Sequence, residues 1–304
     1  MISQSQNGKT GHLLEIDSWL DNVRQHITDN APSLLPIFDV YEGEARFGRQ
    51  YIGEDITSLD YGAAVLEVGA GSLLLSCQLA REGFSVTALE PKGEGFSHFI
   101  QMQKLILECA DRMACVPIVV NMHAEDMQYS CQYDYAFSIN VMEHVNDVGQ
   151  VIMRVGSSLK QNAKYHFTCP NYLFPYEPHF NIPTVFSKKI TRILLHKKIF
   201  HNKELIDPEG LWKSLNWINV LKLRHIINKN RTLNILFNRK FVVSSLERIA
   251  YDEKFSARRS GWLVGAIKLF VKLRIHLLAS FIPVIFQPVI DCTIMKQSSV
   301  LGKQ

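Results

Sequence analysis

Two short stretches of the chain set a carboxylate close to an imidazole: Glu143-His144, and Tyr176-Glu177-Pro178-His179-Phe180. A histidine flanked by an acid is equipped to take a proton from a reacting group, because the acid orients the ring and stabilises its charged form. His179 or His144 is the expected general base, with Glu143 orienting it. The structural alternative is that Glu143-His144 only cap a following helix and His179 is an ordinary loop residue. Glu143, His144 and His179 are also metal-ligating types. The expectation is a site without a metal.

A third stretch, Val65-Leu66-Glu67-Val68-Gly69-Ala70-Gly71-Ser72, has different chemistry. Gly69 and Gly71 let the backbone pass beneath a ligand with no Cβ in the way, and a helix start just beyond offers unpaired N–H groups. Glu67 interrupts an apolar run, where an ionised carboxylate is costly unless it meets a partner; a cationic amino-acid ligand would be one. A nicotinamide dinucleotide is disfavoured. Its Gly-x-Gly-x-x-Gly fingerprint meets Leu74 at the third glycine, the position that permits close helix–strand packing.

These residues need elements to position them. Apolar patterning predicts strands over 63–68, 84–89, 116–121, 133–139 and 164–169, and helices over 72–82, 96–113 and 148–159. Strands alternating with helices at this spacing imply an α/β fold, a doubly wound and mainly parallel sheet covered on both faces. Before it, Leu14, Trp19, Val23 and Ile27 fall at helical spacing over 13–27, and 33–60 reads as a mixed cap. After it come a loop rich in Pro and aromatics (171–183), a basic helix over 187–203 and a stretch (204–260) with no legible order; if the basic segments pack on the sheet and complete the domain, a late strand near 289–295 is expected. The expected organisation is a helical cap over 1–60, a core over 61–183, and a basic C-terminal region over 184–304.

Glu67-Val68-Gly69-Ala70-Gly71 resembles the first motif of the class I S-adenosylmethionine (SAM)-dependent methyltransferases. Glu90, at the end of the second strand, matches that family's ribose-binding acid. His123-Ala124-Glu125-Asp126-Met127 resembles the loop whose acid meets the adenine amino group, with Glu125 and Asp126 as equal candidates. The segment from Asp134 to Val145 resembles the fourth-strand motif of the small-molecule and glycan-type branch, which ends in a similar Glu-His-Val. The resemblance implies a Rossmann-like fold and SAM as cofactor, held by Glu67, Gly69, Gly71, Glu90, Glu125, Asp126 and Asn140. It implies methyl transfer, expected at oxygen, to a small, glycan or lipid-linked acceptor. Metal-dependent members carry an additional acid three residues before the Glu-His pair; Asn140 stands there in this chain. The Tyr-Glu-Pro-His loop plus a basic apolar tail resembles bacterial surface-polysaccharide methyltransferases. A catalytically silent SAM-binding scaffold is the rival, and the presence of Glu143, His144 and His179 speaks against it.

The net charge of +4 conceals a split: residues 1–150 hold 8 Lys+Arg and 21 Asp+Glu (−13), and residues 151–304 hold 25 and 8 (+17). The second half is therefore suited to an anionic partner, unless the two halves simply attract each other. Between Gly261 and Ile290 the chain is apolar with widely placed cations, and Pro283 and Pro288 break its uncharged part. That excludes a spanning helix, which needs ~20 apolar residues. It suits an interfacial segment, with Lys268, Lys272 and Arg274 at anionic headgroups and Trp262 and Phe270 inserted. Nucleic acid is disfavoured, because the cations alternate with aliphatic residues and offer no aromatic stacking surface. Six scattered cysteines without a Cys-x-x-Cys pair read as reduced, mainly buried thiols, and no secretory signal is visible, so the expected location is cytoplasmic, peripheral on the inner face of the membrane if the tail docks there.

Overall fold

The computed structural model describes residues 14–91, 97–185, 187–202, 205, 207–230, 232–252, 256–257 and 261–296. The expectations for Leu13, Phe96 and Lys203 fall outside them. Seven strands form one sheet: β1 (Ala64–Val68), β2 (Ser85–Leu89), β3 (Ile118–Val120), β4 (Tyr133–Ile139), β5 (Leu159–Pro170), β6 (Leu233–Phe237) and β7 (Val289–Lys296). Their order is β3-β2-β1-β4-β5-β7-β6. β1 pairs in parallel with β2 and β4, β2 pairs in parallel with β3, and β6 and β7 pair antiparallel. This is the doubly wound, Rossmann-like methyltransferase fold expected from the sequence. The strand order reverses beside β1, and in open α/β sheets such a reversal opens a crevice at the strands' carboxyl ends.

The chain forms two compact units: the part up to Ser138 together with Ser157–Tyr165, and Ile139–Gly156 together with the chain from His166 onward. In the first, α1 (Ile16–Asn30) presents Trp19, Leu20, Val23 and Ile27, all fully buried. Removing each such side chain from water stabilises the fold by ~1.5–3 kcal/mol. The Trp19 indole also donates to the Leu74 carbonyl at 2.9 Å, at the start of α4 (Leu74–Arg81). The cap stretch expected to be mixed is helical, as α2 (Leu35–Tyr51) and α3 (Gly53–Thr57). Pro36 sits in the first turn of α2, where its missing N–H costs nothing. Arg49 near the end of α2 donates twice to Glu82, at 2.8 and 2.9 Å, and the Glu82 carboxylate has no exposed surface. α5 (Ser97–Arg112) completes this unit's helices.

In the second unit α6 (Val148–Ser158) precedes β5, which is longer than expected. The single basic helix expected over 187–203 is two short ones, α7 (Lys188–Leu194) and α8 (His196–Phe200), parted at Leu195 (φ −113°, ψ 22°). Lys188 and Arg192 lie four residues apart on one helix face, a like-charge spacing that weakens a longer helix. The stretch expected to lack order holds α9 (Pro208–Ser214), α10 (Val220–Asn228), β6 and α11 (Phe241–Tyr251). α11 packs on the Gly261–Lys272 helix through Ala250, Ile267 and Val271. The late strand is present as β7. Asn171 anchors the approach to it, its amide donating to the carbonyls of Val284, Ile285 and Gln287.

Candidate functional site

In the first unit, three strand ends converge on the glycine turn. The N–H groups of Gly69 and Ala70 donate to the Leu89 carbonyl (2.8 and 3.1 Å), and that of Glu90 to Val120 (3.0 Å). The Gly71 N–H donates to Glu90 Oε2 at 2.9 Å. Gly69 and Gly71 have φ of +73° and +52°, in the left-handed region where glycine is at ease. Among the described residues, a Cβ at Gly71 would meet only the Phe99 ring, at 3.7 Å, so these leave the turn open there.

Glu67 lies beneath this turn, buried, and accepts a hydrogen bond from Ser76 Oγ. Burial lifts its carboxyl to about 8; Ser76 opposes the rise and the charge of Glu90 adds to it. Glu90 is likewise raised by burial, against the Gly71 hydrogen bond. Two protonatable carboxyls beside an open glycine turn fit a ligand that brings a cation and hydroxyl donors, as an adenosyl amino acid does. Glu67, Gly69, Gly71 and Glu90 are therefore brought together as the sequence requires. Glu125 and Asp126 stand on a 3₁₀ turn (Ala124–Asp126) a few residues beyond β3, the strand paired with β2; Asp126 is exposed. Sequence reasoning missed three neighbours. Burial raises Tyr41 to about 12, and the charges of Glu44 and then Glu90 add to the rise. Phe99 packs edge-on against Tyr41, centroids 5.4 Å apart, and Gln103 donates to the Gly71 carbonyl at 2.6 Å.

In the second unit, the chain leaving β4 turns at Asn140, whose φ of +54° is tolerable for asparagine. Its N–H donates to Thr168 at 2.9 Å, and its side chain is exposed. Glu143 follows, fully buried, and neither oxygen has a hydrogen-bond partner among the described residues. His179 Nε2 is its near neighbour, at 3.9 Å, while His179 Nδ1 lies 2.6 Å from Glu177 Oε1. The acid that orients His179 is thus Glu177, two residues away on the same loop, and Glu143 faces the ring's other nitrogen. Glu177 is itself fixed: it accepts from the Phe180 N–H (2.7 Å) and the Tyr172 hydroxyl (3.2 Å).

Burial pulls the proton affinity of His179 down, but its hydrogen bond to Glu177 and the charges of Glu177 and Glu143 more than offset that, so it is raised overall. Burial and His179 together depress His144 to about 4. Burial lifts Glu143 to about 7, against the charge of His179. The rings of His144 and His179 meet edge-on at 5.1 Å, and His144 Nδ1 lies 2.9 Å from Ser214 Oγ. Ligand atoms of Glu143, His144 and His179 lie within 4.8 Å of one another, so these three side chains could hold a metal ion. The arrangement is a neutral imidazole (His144), a proton-hungry imidazole (His179) and a buried carboxyl with unused acceptors.

No protein-family model matches the chain. It is 46% identical over 282 residues to an uncharacterized protein of Mycobacterium tuberculosis, covering 93% of this chain and 95% of that one. It is 31% identical over 179 residues to a ubiquinone biosynthesis O-methyltransferase of Citrobacter koseri, covering 58% of this chain and 68% of the relative. A SAM-dependent methyltransferase structure from Mesorhizobium loti aligns with a TM-score of 0.48 at 11% identity, over 81% of this chain and 98% of that one. With the relationship to the Citrobacter enzyme and the sheet order described above, the chain belongs to the class I SAM-dependent methyltransferase family.

Proposed function

We propose that the protein methylates a hydroxyl oxygen of a small, glycan or lipid-linked acceptor, with His179 as general base. Bound SAM supplies an electrophilic methyl group on a sulfonium. Glu67 and Glu90, with the open turn at Gly69 and Gly71, would hold its amino-acid and ribose parts, and Glu125 or Asp126 its adenine. The single observation that carries the base assignment is the Glu177–His179 contact at 2.6 Å, with the ring's far nitrogen facing a buried carboxyl. Such a ring is aimed and can accept a proton at Nε2. Glu143, facing Nε2, stabilises the resulting cation, and His144, held neutral by its burial and by His179, adds no competing charge. The similarity to ubiquinone-pathway O-methyltransferases supports oxygen as the acceptor atom. Incubating the protein with methyl-labelled SAM and fractionated cell extract tests this reading. Label transferred by the wild type and lost with His179→Ala, at saturating SAM, is the expected result; undiminished transfer by the variant removes His179 as base.

The C-terminal region supports a membrane contact. Trp262, Phe281 and Phe286 are 77%, 76% and 62% exposed, and Lys268, Lys272 and Arg274 are exposed among them. No acid occurs between Glu253 and Asp291. Aromatic tips with cations and no acid suit an anionic bilayer surface. No helix among the described residues is long and apolar enough to cross a membrane. Sedimentation with anionic vesicles is the check, and binding that is absent or indifferent to salt removes the idea.

A further inference from the structure

Away from the histidine cluster, Lys188, Lys189, Arg192, Trp212 and Lys213 line a hollow of about 340 Å³. Four of the five are cations and none is an acid. Such a grouping costs free energy through mutual repulsion unless something negative sits among them. Burial and the charge of Arg192 both depress the proton affinity of Lys188. The Lys188 ammonium is nevertheless fixed in place. It donates to the carbonyls of Lys213 (3.1 Å) and Leu215, and stands 5.9 Å from the centre of the Trp212 ring. Two of its three donors are used, which leaves one for a ligand. Lys213 has one acidic contact, an exposed pair with Glu209 at 2.9 Å that solvent weakens. Lys189 and Arg192 are exposed at the rim.

The hollow is built into the same framework as the histidines. Trp212 is buried and meets Phe180 and Trp217 edge-on, each at 5.5 Å. Trp217 stacks on Tyr172 at 4.3 Å, and Tyr172 donates to Glu177, which orients His179. Ser214, the residue after Lys213, contacts His144, and Asn216 donates to the carbonyls of Met142 and Val145. One short segment, 212–216, thus carries a cation of the hollow and the props of the catalytic loop.

We propose that this hollow binds a phosphoryl group of the methyl acceptor, so that the substrate class is a phosphate or diphosphate ester carrying a free hydroxyl. The cations take the phosphoryl oxygens, and Trp212, which lines the hollow, holds the Lys188 ammonium beside its ring. The substrate assignment rests on the reading that His179 deprotonates the acceptor. Anion binding by the hollow does not.

Calorimetric titration of inorganic pyrophosphate at low salt tests the site directly, with SAM titrated into the same preparations. The wild type binds pyrophosphate saturably, Lys189→Glu/Arg192→Glu binds it about tenfold or more weakly, and SAM binds both alike. Both substituted residues are exposed, and matching thermal melts establish that the variant is folded. Lys268→Glu/Lys272→Glu, in the basic tail, leaves pyrophosphate binding unchanged. A bilayer headgroup could supply the same phosphoryl chemistry, so phosphatidylglycerol vesicles form a second arm. Vesicle binding kept by Lys189→Glu/Arg192→Glu assigns the hollow to an acceptor's phosphate, and its loss there overturns the acceptor assignment in favour of a headgroup. No pyrophosphate binding by the wild type, or equal binding by the variant, overturns the site itself. Failure of SAM binding in every protein would instead strike the methyltransferase reading.

Discussion

Replacing Glu67 with Gln should move stability and cofactor binding in opposite directions. In the unliganded fold, burial raises this carboxyl from an ordinary 4.5 to about 8. The folded chain therefore keeps a proton that the unfolded chain releases above pH 4.5. That contribution to stability is fully present below 4.5 and is lost as pH rises through 8. The gap between the two values corresponds to ~5 kcal/mol over the whole window, and to at most ~1.4 kcal/mol for each pH unit within it. Gln has the same shape and can accept the Ser76 hydrogen bond, but it does not titrate. In urea denaturation from about pH 5 to about pH 9, the wild type should lose stability steadily relative to Glu67→Gln, with the variant ahead at the alkaline end by up to that ceiling. A cationic ligand favours the ionised carboxyl, so wild-type affinity for SAM should climb toward pH 8 and level off, while the variant binds weakly throughout. Parallel stability curves for the two proteins would refute the burial argument, and equal SAM affinities would refute the role in binding.

Other substitutions probe separate contacts. His179→Ala should lower methyl transfer by about 10²–10⁴-fold while SAM affinity stays within about twofold, read from single-turnover transfer and calorimetry. Glu177→Gln removes the group that raises His179, so the acid limb of the pH–rate profile should move to lower pH and the maximum should fall; an unmoved limb contradicts the orienting role. Arg49→Ala leaves the fully buried Glu82 carboxylate without its cation, with the Gln78 amide still donating to it, and should cost ~3 kcal/mol in chemical denaturation. Lys268→Glu/Lys272→Glu should abolish salt-sensitive sedimentation with anionic vesicles.

The sheet was legible because each strand of the first unit is a short apolar run bounded by turn residues, and β4 matches its expected limits of Tyr133 and Ile139. The cap was half legible. Pro36, Gly43 and Gly48 blur the periodicity of α2, although a proline in the first turn is a helix-start signal. Over 204–260 the caps were visible and unused: Asp207 before Pro208 accepts from the Gly210 N–H, and Asn219 accepts from the Lys222 N–H. The pairing of Glu177 with His179 lay beyond sequence reasoning, because loop residues two apart have no fixed facing. The company Tyr41, Phe99 and Gln103 keep around the glycine turn depends on how helices pack, which no local pattern records. Glu67, Gly69 and Gly71 were legible from the acid and the glycine turn at the end of an apolar run, and Glu90 from the family resemblance, because these residues belong to strand ends that a parallel sheet must bring together.

Calorimetric titration of SAM into the protein and into Glu90→Ala tests the central claim most directly. The account predicts one saturable site in the wild type, no binding of NAD, and a loss of about tenfold or more with the variant. Absence of a SAM signal in the wild type, or undiminished affinity in Glu90→Ala, would contradict it.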